Sequence, residues 1–70
     1  MEINIRDGEE FIRLGQALKK SGLVSSGVDA KMVILNGEVT VNGEIEVRRG
    51  RKLYSKDTIS FENQTIKIIK

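Results

Sequence analysis

Four cations stand within five consecutive residues of this 70-residue chain: Arg48, Arg49, Arg51 and Lys52. Gly50 separates the two pairs, at a point where the backbone must bend. Guanidinium groups pair with phosphate oxygens through two parallel hydrogen bonds, and a glycine lets the backbone approach a ligand closely. The segment therefore indicates a phosphate-binding loop, and the alternative is a solvated loop that only improves solubility.

Three lysines form a second candidate group. Lys19 and Lys20 lie at the end of the first predicted helix, and Lys31 lies one turn into the second. A tight connection between the helices would bring the three together. Cations are also favoured at a helix C-terminus by the helix dipole, and Lys31 is an ordinary residue for an exposed helix position. Taken alone, the three lysines are better explained by these structural roles than by a binding site.

Residues that usually carry enzyme chemistry are missing from the sequence. The chain has no histidine, no cysteine and no tryptophan, which removes the commonest general base, the commonest zinc ligands and the thiolate nucleophile. No segment has the alternating acidic ligands of a calcium loop. We therefore expect a protein that is not an enzyme and uses no metal or other cofactor.

Composition and charge point to a small globular domain with one basic region. The chain is 39% hydrophobic and 31% charged, which is typical of a folded domain. Its longest apolar run, Met32 to Leu35, is too short for a membrane span, and no signal peptide is visible, so we expect a cytoplasmic protein. Residues 1–47 carry five Lys/Arg and eight Asp/Glu, a balance of −3, whereas residues 48–70 carry seven and two, a balance of +5. Such a field favours a polyanionic partner.

Hydrophobic periodicity predicts an α+β fold with two helices. Asp7 and Glu10 have the spacing of a capping box, so the first helix is expected from Gly8 or Glu9 to Ser21. Ser25 or Ser26 offers a second N-cap, and Ser26 has capping-box spacing with Asp29. The helix that follows is apolar nearly all round and is expected to be largely buried. The predicted elements are a strand at 2–6, helices at 8–21 and 27–35, two strands joined by Asn42-Gly43 within residues 36–47, and strands at 58–61 and 65–69.

The strands are expected to form two hairpins in a mainly antiparallel sheet. Asn42-Gly43 is the strongest signal for a two-residue turn of type I′. Around this turn, Val39, Val41, Ile45 and Val47 are expected to share the buried face, with Glu44 and Glu46 in solvent. The three aromatic residues, Phe11, Tyr54 and Phe61, stand in apolar patterns and are expected in the core. All 70 residues are assigned to one domain.

Residues 22–26 and 37–43, with Ala30 and Ile34 between them, form a pattern. This pattern resembles one known family, the S-four RNA-binding domain, whose two-helix unit is called the αL motif. The resemblance covers about Ile12 to Phe61, and its most specific part is the stretch Gly37-Glu38-Val39-Thr40-Val41-Asn42-Gly43. Residues 14–16, 27–31 and 46–54 are similar to the family's free-standing small bacterial branch, the YaaA-like and YbcJ-like proteins. The other matching positions are Gly22-Leu23-Val24-Ser25-Ser26, Ala30 and Ile34.

The resemblance implies binding of structured RNA by the two helices and the adjoining loop. Two positions depart from the family pattern: Gly27 stands where many members have arginine, and Gly15 where many have aspartate. The contacts carried over are Gln16, Lys19 and Lys20 on the first helix, Ser26, Gly27 and Lys31 on the second, and Arg48, Arg49, Arg51 and Lys52 in the loop.

We therefore expect a protein that clamps the phosphates of structured RNA, either ribosomal RNA or tRNA-like RNA. Ribosomal particles are a further expected partner. The protein is expected to be a monomer and to have no membrane partner. The alternative is a protein-interaction adaptor, associated with the ribosome, whose basic loop docks an acidic partner.

Overall fold

The computed structural model describes residues 1–70 and confirms the predicted α+β class, with two helices packed on a mainly antiparallel sheet. The elements are β1 (Glu2–Asn4), β2 (Ile12–Arg13), α1 (Leu14–Ser21), α2 (Gly27–Leu35), β3 (Thr40–Val41), β4 (Glu44–Ile45), β5 (Lys52–Leu53), β6 (Thr58–Phe61) and β7 (Gln64–Ile69).

The strands form two sheets. A five-stranded sheet has the order β1-β7-β6-β3-β4, and only its β1–β7 pair is parallel. The short strands β2 and β5 form a separate antiparallel ribbon. Apolar side chains from both helices, the large sheet and the ribbon meet in one core. Its largest fully buried members are Leu14, Leu18, Ile34, Val39, Val41, Leu53, Ile59, Ile66 and Ile68.

Helix α1 starts at Leu14, so the predicted start at Gly8 or Glu9 is wrong. Gly8 has a φ of 86° and lies in a turn that the Glu9 N–H closes on the Arg6 carbonyl. The predicted capping box at Asp7 is therefore not the start of the helix. Residues 12–13 are drawn into the ribbon instead, because tertiary pairing outweighs a local capping signal.

The turn between β3 and β4 is the predicted two-residue turn, but the predicted buried face of β4 is wrong. Asn42 and Gly43 both have positive φ, 52° and 86°. The turn pairs Val41 with Glu44, and residues directly opposite in a sheet share a face. Glu44 and Glu46 therefore lie on the same face as Val41. Ile45 and Val47 turn outwards and are 66% and 50% exposed.

Helix α2 buries only one side. Ala30 and Ile34 are fully buried against the core, whereas Val28, Met32 and Leu35 are 56–68% exposed. The expectation of a largely buried helix is wrong because no second layer of the fold covers its outer side. Neither helix is long or apolar enough to cross a membrane.

Candidate nucleic-acid interface

Residues 48–52, which we call the arginine loop, are fixed to the start of α1 by backbone hydrogen bonds. The first N–H groups of a helix have no partner within it. Here the Leu14 N–H donates to the Arg51 carbonyl (2.9 Å) and the Gly15 N–H to the Arg49 carbonyl (3.0 Å). The Gly50 carbonyl accepts from Nη1 of Arg13 (2.8 Å). The loop carbonyls thus satisfy the first N–H groups of α1, and the side chains of the loop are held beside the helix.

Gly15 lets the side chain of Arg49 cross the surface of α1. A Cβ atom on Gly15 would lie 2.7 Å from Cγ and 3.3 Å from Cδ of Arg49, which is closer than van der Waals contact allows. Arg49 thereby lines the same groove as Gln16 and Lys19 of the helix. A role for Gly15 in placing Arg49 is not visible in the sequence alone.

Arg49 opens onto a groove of about 320 Å³ between α1, the start of α2 and the arginine loop. The groove brings together four of the residues expected to contact RNA and adds one cation, Arg13, that the sequence did not indicate. None of its three cations is within salt-bridge distance of a carboxylate. The lining residues are Arg13, Gly15, Gln16, Lys19, Gly27, Ala30, Arg49 and Gly50.

The basic surface continues across Arg13 and Gly50 into a second, more open hollow. Its lining is Arg13, Arg48, Gly50, Arg51 and Lys52, all of them cations except the glycine. The two concavities share Arg13 and Gly50. Together they form one continuous band that is suited to a polyanion.

Two of the four cations in the arginine loop are paired with a buried carboxylate. Glu46, only 6% exposed, accepts hydrogen bonds from Nε and Nη2 of Arg48 (3.0 Å each) and from Nη1 of Arg51 (2.9 Å). The Arg48 backbone N–H donates to it as well (3.0 Å). These bonds, above all those from the Arg48 side chain, hold the pKa of Glu46 at about 2 although desolvation opposes the shift. The expected exposed position of this glutamate is therefore wrong.

The remaining predicted site residues lie outside the groove. Ser26 is the N-cap of α2, and its hydroxyl oxygen accepts from the Asp29 N–H (3.1 Å). Lys20 donates to the Asn4 carbonyl (3.3 Å), so it points towards β1. Lys31 is exposed one turn beyond Gly27 on α2, and helical spacing puts both on the same side of the helix.

Sequence reasoning missed Arg13 because a single helix was expected through that position. The residue lies instead in β2, directly opposite Lys52 of β5. That pairing joins segments far apart in the chain, so no local sequence pattern predicts it. No group of three or more acidic, cysteine or histidine side chains is placed to hold a metal ion.

Comparison with known proteins identifies the family. The sequence model of the S4 domain matches residues 3–69, almost the whole chain. The chain belongs to the S4 domain family. One relative is the "Probable ribosome maturation protein RlbA" of Bacillus subtilis (strain 168), which is 47% identical over 53 residues. That match covers 76% of this chain and 75% of RlbA.

A second relative links the S4 domain to a solved structure. YbcJ of Escherichia coli (strain K12) is 33% identical over 58 residues, which are 83% of each chain. The solution structure of Escherichia coli YbcJ superposes with a TM-score of 0.72 at 28% identity and covers 99% of this chain and 86% of YbcJ. That structure is described as revealing an αL motif involved in RNA binding. The likeness confirms the predicted αL fold.

Proposed function

We propose that this S4-domain protein binds structured RNA without catalysis, by taking the phosphate backbone into the groove beside α1. The observation that carries the proposal is the convergence of Arg13, Lys19 and Arg49 on one groove, with no carboxylate paired to any of them. Cations that have no carboxylate partner in the protein keep their full charge for phosphate oxygens.

The cations of the band do not contribute equally in this proposal. Arg13, Lys19, Arg49 and Lys52 contact phosphates directly. Arg48 and Arg51 share one buried carboxylate, Glu46, so the three groups together contribute one net positive charge. Their main role is to hold the loop in shape.

The other predicted contacts have supporting roles. Gln16 and Gly27 line the groove, and Ser26 orients the first turn of α2, whose N–H groups can face a phosphate. Lys31 extends the basic surface along α2, and Lys20 contributes long-range attraction only.

The names of the relatives favour ribosomal RNA as the target. RlbA is named for ribosome maturation, and the αL motif of YbcJ is described as involved in RNA binding. We propose that this chain acts as a single monomeric domain in the cytoplasm, on ribosomal RNA or a maturing ribosomal particle. The arrangement needs no cofactor.

A salt titration tests the proposal. Binding to a structured RNA is measured against duplex DNA of equal charge, with wild type and two double variants. Four phosphate contacts predict a slope of log K against log salt of about −3 to −4. The variant Lys19→Gln/Arg49→Gln removes two groove cations and should make the slope shallower, about −2. The control variant Lys67→Gln/Lys70→Gln removes the same amount of charge outside the groove and should change the salt slope little.

Two results would overturn the groove assignment: equal weakening by both double variants, or equal affinity for RNA and DNA. In either case the basic band would be an unspecific polyanion surface. The adaptor hypothesis, with an acidic protein docked on the arginine loop, would then be the one to pursue.

A further inference from the structure

The solvent face of the β2–β5 ribbon carries two aromatic rings and two cations. Ile12 pairs with Leu53 and Arg13 with Lys52 in the antiparallel register. Side chains alternate between the two faces of a strand. Leu53 is fully buried and Ile12 packs against the core. The outer face is therefore formed by Phe11, Arg13, Lys52 and Tyr54, which we call the ribbon face.

The rings of the ribbon face are not core residues, contrary to expectation. Their centroids are 6.1 Å apart with an angle of 57° between the ring planes, a tilted aromatic pair. Nζ of Lys52 lies 4.8 Å and Cζ of Arg13 lies 5.4 Å from the Phe11 centroid, within the range of cation–π contacts. Phe11 is thus enclosed on several sides, whereas Tyr54 remains 48% exposed.

The backbone of Tyr54 is held by two hydrogen bonds with Asp57, although the ring is exposed. Its N–H donates to Oδ2 of Asp57 (2.7 Å), and its carbonyl accepts from the Asp57 N–H (3.0 Å). The ring leans on Phe11. A fixed aromatic side chain stacks on a ligand at a lower cost in conformational entropy than a mobile one.

The ribbon face adjoins the phosphate-binding band. Arg13 belongs to the ribbon face and also lines the groove, and Lys52 lines the second hollow. A nucleotide whose phosphate contacts these cations would carry its base within reach of Tyr54. Bases in a continuous duplex are stacked on their neighbours, so only an unpaired base can use such a ring.

We propose that Tyr54, supported by Phe11, stacks on an unpaired base of the RNA whose phosphates occupy the groove. The inference rests on the proposed function and narrows it. The substrate class becomes a stem with a bulged or loop nucleotide beside the groove-bound backbone. Arg13 and Lys52 position that nucleotide through its phosphates.

The experiment uses Tyr54 as its own reporter, because the chain has one tyrosine and no tryptophan. Two short RNA hairpins are compared, one with a single bulged nucleotide and one fully paired. The wild-type protein should bind the bulged hairpin about ten-fold more tightly, and only that hairpin should quench tyrosine fluorescence. Tyr54→Leu should lose the preference and keep the affinity for the paired hairpin, whereas Tyr54→Phe should retain the preference.

The outcomes separate this inference from the function on which it rests. Equal affinity of wild type for the two hairpins, with both weakened by Lys19→Gln/Arg49→Gln, would refute the stacking site and leave RNA binding in place. A bulge preference that survives in a folded Tyr54→Leu variant would also refute it. Failure of the wild-type protein to bind either hairpin would instead overturn the proposed function.

Discussion

Replacing Arg48 and Arg51 with methionine should lower the free energy of unfolding of the domain by more than it lowers the free energy of RNA binding. The change leaves the Glu46 carboxylate buried, with only the Arg48 backbone N–H as a hydrogen-bond donor. Removing one side of a fully buried ion pair costs about 3 to 5 kcal/mol. Solvent screens the pair made by Arg48, whose side chain is 72% exposed, so the loss comes from the pair of Glu46 with Arg51, whose side chain is 33% exposed, and we expect about 2 kcal/mol. For a domain of this size the melting temperature should fall by roughly 8 to 16 °C.

The matched control removes the other two cations of the same loop. Arg49→Met with Lys52→Met takes away equal charge but no carboxylate partner. Its stability should fall by at most about 1 kcal/mol, chiefly through the lost contact between Lys52 and Phe11, while its RNA affinity should fall further than that of the first variant. Thermal melts at pH 7, followed by binding at a temperature where both variants are folded, separate the two effects.

A rescue experiment addresses the cause of the destabilisation. Adding Glu46→Gln to the Arg48→Met/Arg51→Met variant removes the stranded charge and should recover part of the lost stability. If the two loop variants melt at the same temperature, or if Glu46→Gln destabilises the first variant further, the reasoning about the buried carboxylate is wrong.

Three further predictions follow from single features of the structure. Because the pKa of Glu46 is lowered from 4.5 to about 2, its contribution to the free energy of unfolding is complete above pH 4.5 and is lost as the pH falls towards 2; urea titrations across this range should show a decline that Glu46→Gln lacks. Gly27→Arg places a cation where a Cβ meets no atom within 4 Å, and it should tighten RNA binding and steepen the salt slope by about 0.7 to 0.9; an unchanged slope would place Gly27 outside the interface. Gly43→Val forces a β-branched residue to a φ of 86° and should cost about 1 to 3 kcal/mol, so an unaltered melting temperature would contradict the type I′ turn.

Elements with local signals were predictable from the sequence. The Ser26 cap, the end of α1 at Ser21 and the turn at Asn42-Gly43 each depend on a few adjacent residues, and the structure has all three. The start of α1 was not predictable in this way. Its first N–H groups are capped by the carbonyls of Arg49 and Arg51, which lie far along the chain.

The candidate site was predictable only in part, for the same reason. Gln16, Lys19, Gly27 and Arg49, which the resemblance names as RNA contacts, line one groove, and their contact with RNA stays a prediction. The place of Arg13 depends on the pairing of β2 with β5, which is a long-range event. The aromatic ring of Tyr54 was assigned to the core because an apolar neighbour such as Leu53 suggests burial, whereas strand alternation turns the two residues to opposite faces.

The two-residue turn at Asn42-Gly43 links these observations, and its consequence could have been read from the sequence. A turn of two residues sets Val41 opposite Glu44, so the next inward position opposite Val39 must be Glu46. A buried carboxylate requires donors, and Arg48 and Arg51 of the following loop supply them. Their hydrogen bonds to Glu46 hold the arginine loop close to the core. In this position the loop carbonyls cap α1, and the side chain of Arg49 lies across Gly15. The four cations of the arginine loop therefore serve two purposes: Arg48 and Arg51 shape the loop, whereas Arg49 at the groove and Lys52 at the second hollow have no carboxylate partner.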